Sequence, residues 1–176
     1  MTELMPPLVD AAWLKSQIDA PDLIVLDASW YLPAQGRDAE QEFAEGHIPG
    51  ALRFDFDRRF ADTTSPLPHM LPDAEAFTNE AQALGLNRLS RIVVYDGAGI
   101  FAAPRAWWMF RVMGHPSVSV LNGGLPAWKA AGGAIETGPA RVLPAGDFTA
   151  ELDPARLAGI PDVTSALNAG VTVVDA

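Results

Sequence analysis

There is no cysteine among the 176 residues. That removes disulfides, thiolate metal sites and any thiol nucleophile from within these residues. Basic residues are scarce: 12 Lys and Arg stand against 22 Asp and Glu, for a net charge of −10. Binding to nucleic acid or other polyanions needs clustered cations, so no such partner is expected. No apolar run approaches the roughly 18–20 residues that cross a bilayer, so no membrane partner is expected either. The opening residues, MTELMPPLVD, lack the basic start and apolar stretch of a secretory signal, and a cytoplasmic protein is expected. Disorder is excluded, because 49% of the residues are hydrophobic. The length allows one domain of about 100–150 residues and something more.

What is present alternates between strand-like and helix-like segments. Leu23–Leu26, Ile92–Tyr95 and Val118–Leu121 are short, continuously apolar runs, and Ala51–Phe54 is a weaker one. Continuous rather than alternating apolarity marks strands covered on both faces. Asp10 is an N-cap for a helix over Ala11–Ile18, and Asp73 caps Ala74–Leu84, with Gly85 at the C-cap position. Pro104 fits the first turn of Arg105–Met113, which Gly114 ends, and Leu125–Ala131 runs to Gly132-Gly133. The reading is an α/β domain with a central, mostly parallel sheet and helices on both faces.

Beyond residue 136 the texture changes. Pro and Gly interrupt any periodicity from Thr137 to Pro161, as in an extended linker that Phe148 pins to the surface. A helix over 161–168 and a strand over 170–176 then repeat the pattern of residues 9–28: Asp, helix, apolar strand, Asp-Ala. The expected organisation is a first domain over 1–136, a linker over 137–160 and the start of a second, homologous domain over 161–176.

Three groups of residues point to chemistry. Asp96-Gly97-Ala98-Gly99-Ile100-Phe101-Ala102 joins the clearest strand to a helix. Its GxGxxA spacing is that of a dinucleotide loop, with Gly97 and Gly99 near the phosphates. It is also that of an anion or oxyanion cradle of backbone N–H groups. Asp96, already an anion, stands where a nucleophile would be activated. His69 sits in a proline-framed loop, Ser65 to Pro72, with Asp57 and Asp62 shortly before it. Histidine beside a carboxylate can orient or relay protons, or it can simply bond within its loop. Ser65 before proline lacks the strained elbow that a serine nucleophile needs. Trp30, Tyr31 and Arg37 follow the first strand's carboxyl end, where α/β sheets form pockets or interfaces. His47, between helix and strand, reads as a buttress, and Trp107, Trp108, Phe110 and Met113 read as core. The three histidines are too scattered for zinc, and no metal or cofactor is expected.

Six stretches taken in order resemble the two-domain rhodanese-type sulfurtransferases, closest to their 3-mercaptopyruvate branch, with the thiosulfate branch next. They are Val25–Tyr31, Gly46–Ala51, Thr64–Pro72, Val93–Gly97, Ala103–Arg111 and Ser119–Gly124. The resemblance implies two tandem domains of similar fold, of which only the carboxyl-terminal one is catalytic. There a cysteine opens the equivalent loop, takes sulfur from a small anionic donor as a persulfide, and passes it to cyanide or a thiol. The aligned loop here starts with Asp96, so Asp96, Gly97 and Gly99 form a degenerate active-site loop and these residues alone are expected to be inactive. His69 matches the histidine that mercaptopyruvate enzymes place near the cysteine loop, and Asp57 matches the carboxylate paired with it, so both are auxiliary catalytic candidates. The family's donor-binding arginines belong to the second domain, which is also the implied partner. A thiosulfate sulfurtransferase and a catalytically inactive rhodanese-like binding module are the alternatives.

Overall fold

The computed structural model describes residues 5–174. Five strands form one sheet in the order β1-β5-β4-β2-β3, and every neighbouring pair is parallel. They are β1 (Leu8–Val9), β2 (Leu23–Asp27), β3 (Leu52–Arg53), β4 (Arg91–Tyr95) and β5 (Val118–Leu121). The helices are α1 (Ala11–Gln17), α2 (Ala39–Glu45), α3 (Ala74–Ala83), α4 (Ala103–Val112), α5 (Gly124–Ala130) and α6 (Ile160–Asn168). The expected caps are in place: Asp10 accepts the Trp13 N–H at 2.7 Å, and Asp73 accepts that of Ala76 at 2.8 Å. These bonds satisfy donors that the first helical turn cannot.

Alternate residues of the central strands feed two cores. Ile24, Leu26, Ile92, Val94, Val118 and Val120 face α3 and α4, meeting Phe77, Ala81, Ala106, Met109 and Phe110. Leu23, Val25, Val93, Tyr95 and Leu121 face α1, α2 and α5, meeting Leu14, Phe43 and Trp128. Both faces are therefore dry, which explains the continuous apolar runs. Because β3 and β5 lie on opposite sides of the β2–β4 pair, the winding reverses there. The carboxyl ends of β2 and β4 consequently open a crevice, the place where such sheets hold their sites.

Two features depart from the reading of the sequence. Strand β1 was not expected; it is two residues long and is fixed by pairing Leu8 with Val120 and Val9 with Leu121. The expected carboxyl-terminal strand does not form: α6 is present, but residues 171–174 pair with no strand among the described residues, and Asp175 and Ala176 lie outside them. Val171, Val173 and Val174 are exposed, and a strand without a neighbour has nothing to take its main-chain hydrogen bonds.

The irregular segment after residue 136 is bound to the domain. Gly146 and Phe148 donate to the carbonyls of Gln82 and Leu86 at 2.9 and 3.1 Å, and Glu151 and Asp153 donate to those of Met113 and Val112 at 3.1 and 2.7 Å. Phe148 is buried among Phe77, Phe110 and His115.

Candidate active site

The crevice is built from the end of β2. Asp27, buried, accepts the Ser29 N–H at 2.8 Å and pairs with Arg53 at 3.0 Å. This turns the chain so that the Ser29 hydroxyl accepts the Gly97 N–H at 2.9 Å, tying the β2 end to the loop after β4. Trp30 and Tyr31 are thereby directed into a cleft of about 640 Å³ that they line with Arg37, Asp57 and His69. A smaller hollow of about 230 Å³ continues between Trp30, Phe56, His69, Phe101, Ala102 and Arg105.

The loop after β4 is a ring of N–H donors, as its spacing implies, but the ring is full. The buried Asp96 carboxylate accepts five of them: Ala98 and Gly99 on one oxygen at 2.9 and 2.8 Å, Phe101, Ala102 and Ala103 on the other at 2.8, 2.9 and 2.9 Å. An anion is thus already bound, covalently attached to the chain, where a catalytic loop would receive one. The same occupation leaves these donors nothing to offer a pyrophosphate, so the dinucleotide reading of Gly97 and Gly99 finds no support. Gly124, at φ 54°, lets α5 close on this loop; a Cβ there would stand 2.3 Å from the Asp96 carbonyl oxygen.

His69 and Asp57, separated in sequence by the proline loop, are brought together. The His69 Nδ1 lies 2.9 Å from Asp57 Oδ1, but off the hydrogen-bond line, so the two are in close contact without a well-aligned bond. Trp30 meets the imidazole edge-on, with centroids 4.8 Å apart, and Phe56 packs beside it at 5.8 Å. Both partners are about one-third exposed and therefore reachable from the cleft. Ser65 accepts the Leu67 N–H instead and makes no hydrogen bond to His69. His47 is a buttress, as read: it is buried on Phe43, with Nδ1 2.7 Å from that residue's carbonyl oxygen.

The cations around the cleft are in different states. Arg37 stacks 3.7 Å above the Tyr31 ring and clamps Glu42 at 2.6 and 2.7 Å, holding the Glu42 carboxyl below its ordinary range. Tyr31 donates to the same Glu42 at 2.7 Å, and burial raises its phenol well above its ordinary value. Arg105, on α4, forms no ion pair among the described residues, and burial lowers its guanidinium from the ordinary arginine value. Its Nη2 donates to the His69 carbonyl oxygen, a contact no spacing in the sequence discloses, because nothing there links the first turn of α4 to the proline loop.

A family model described as the rhodanese-like domain matches residues 10–131, most of the chain. The chain belongs to the rhodanese family. It is 45% identical to the 3-mercaptopyruvate sulfurtransferase of Rattus norvegicus over 181 residues, covering 99% of this chain and 60% of the rat protein. It is 51% identical to the mitochondrial thiosulfate/3-mercaptopyruvate sulfurtransferase 1 of Arabidopsis thaliana over 131 residues, 74% of this chain and 34% of that protein. The crystal structure of SseA from Escherichia coli, solved with the catalytic mechanism of 3-mercaptopyruvate sulfotransferases, superposes with a TM-score of 0.87 at 41% identity, over 94% of this chain and 63% of SseA. The rhodanese chain thus spans less than two-thirds of each of these relatives. No helix among its described residues is long and apolar enough to cross a membrane.

Proposed function

We propose that this rhodanese domain is the amino-terminal half of a tandem-domain sulfurtransferase that moves sulfur from 3-mercaptopyruvate to a thiol or cyanide, through a cysteine persulfide on a carboxyl-terminal domain. The supporting observation is the His69–Asp57 pair, held at 2.9 Å on an aromatic wall beside a cleft at the carboxyl ends of the strands. In this reading residues 1–136 are one wall of an interdomain site, 137–160 cross to the second domain, and 161–176 begin it. The carboxyl-terminal domain and the small anionic donor are its partners. We place its work in the cytoplasm, where thiol acceptors are kept reduced.

The chemistry assigns His69 a task. When a thiolate takes the sulfur of 3-mercaptopyruvate, the carbon–sulfur electron pair stays with the organic fragment as an enolate. That enolate becomes pyruvate by gaining a proton. His69, oriented by Asp57, is placed to deliver or relay it. Thiosulfate needs no such proton, so the pair favours mercaptopyruvate as donor. Asp96 fills the backbone cradle that a nucleophile would use in this domain, which supports inactivity of the segment alone.

Steady-state assays on the natural full-length protein test this directly. Turnover with mercaptopyruvate is expected to exceed that with thiosulfate, and His69→Ala to reduce the former selectively. A clear thiosulfate preference, or indifference to His69→Ala, would overturn the donor assignment.

A further inference from the structure

We infer that Arg105 is a positioning residue for the sulfur-transfer site: its guanidinium grips the His69 carbonyl and holds the imidazole against Asp57 and Trp30. The inference rests on the His69 role proposed above.

Three observations carry it. First, His69 is the one non-glycine residue among the described ones with positive φ, at 58°. A residue with a Cβ resists that conformation, so surrounding contacts must hold it there. Second, the Arg105 Nη2 donates to the His69 carbonyl oxygen, and that is the one hydrogen bond to the His69 main chain among the described residues. Third, Arg105 is a poor choice if stability alone were served. Its charge is half-buried with no acid beside it, and its Nε is buried with no acceptor. Burying a cation in this way costs stability unless something else is gained.

The geometry shows how the grip works. Arg105 stands in the first turn of α4, immediately beyond the Asp96 loop that fixes that helix end. Its guanidinium lies 4.6 Å from the Trp108 ring centroid, one turn along, so a flat aromatic surface limits its swing. Lining the same hollow as Trp30, His69 and Phe101, it connects the rigid sheet-and-helix frame to the exposed proline loop. Without it the loop carries His69 on its own torsional preference, which disfavours the left-handed backbone. Misplacement of a proton-handling group by about 1 Å is enough to cost roughly a hundredfold in rate.

A double-mutant cycle in the full-length protein, assayed with mercaptopyruvate and cyanide, tests the inference. Arg105→Gln is expected to lower kcat by about ten- to hundredfold with KM changed less than about threefold. Arg105→Lys, which keeps a cationic donor, should recover most of that loss. In His69→Ala/Arg105→Gln the second substitution should add little to the first, because the residue being positioned is gone. Arg111→Gln serves as the control: Arg111 lies on the same helix over Trp107, bonded to the Pro116 carbonyl, and its loss should leave kcat unchanged. Multiplicative effects of the two substitutions, a lowered melting temperature with intact kcat, or an equal loss in Arg111→Gln would each overturn the positioning role. If His69→Ala itself keeps full turnover, the failure belongs to the underlying reading of His69, and the inference falls with it. Should Arg105→Gln not fold, the cycle is run with Arg105→Lys, where a smaller loss with the same non-additivity is expected and additivity overturns the claim.

Discussion

Asp96 shows how one side chain can change what a loop is for. The residues around it have the spacing of an anion cradle, and that much is legible in GxGxxA between a strand and a helix. What the spacing does not disclose is that the carboxylate folds back and takes all five donors itself. The reading that Asp96 would repel an anionic ligand becomes more specific: it is the ligand. Asp96→Asn tests this. An asparagine keeps one acceptor oxygen and turns an NH2 group towards the other set of N–H donors. Leaving two or three of these donors, which range from part-buried to buried, without an acceptor should lower unfolding stability by about 3 kcal/mol in urea titrations. Asp57 and His69 were marked by their resemblance to family residues, and the fold brings the two to within 2.9 Å of each other. Arg105 was not marked, since a guanidinium's target is set by how α4 lies across the proline loop.

Among the elements, β2, β4 and β5 were legible because burial on two faces writes continuous apolarity into the chain. Strand β1 was not, because two residues beside prolines carry no period; only the exposed edge of β5 makes them a strand. The segment after residue 136 shows the opposite case, where Pro and Gly signal the lack of regular structure and the one aromatic residue, Phe148, signals where the chain is bound to the domain. Phe148→Ala is expected to cost about 3 kcal/mol or more, read as a lowered denaturation midpoint, because the ring is only 3% exposed. His115, against the same ring, gives a pH test. Burial holds its imidazole below the ordinary value of 6.5, while the Ser90 carbonyl oxygen lies 2.9 Å from its Nε2. The unfolded chain therefore binds a proton that the folded one resists. Stability should be complete above about pH 7 and decline as pH falls through 6.5. Stability of His115→Gln should fall less over pH 7.5 to 5.5, and identical slopes in the two proteins would contradict the assignment.

At the scale of the whole molecule, large apolar side chains are exposed at several points. Among them are Leu67 and Met70 on the proline loop, Ile100 and Phe101 on the loop before α4, and Ile160, Leu167 and Val174 on the carboxyl-terminal segment, with Ile160 84% exposed. Exposed apolar side chains favour association where they cluster. The 176-residue chain should therefore show concentration-dependent self-association by light scattering, and a monomer up to high concentration would contradict this. The same chain should give no detectable sulfur transfer from either donor.

The sheet order also sets the timing of assembly. Leu8 finds its place only beside Val120, so the first strand of this sheet in chain order is among the last to be seated. Until Val118–Leu121 emerges, β4 lacks its β5 neighbour and the sheet has an open edge in mid-molecule. Pairings so distant in the chain are slow to form. A nascent chain paused ahead of β5 thus presents an unpaired, largely apolar strand edge, and that exposure ends only when this one strand clears the exit tunnel.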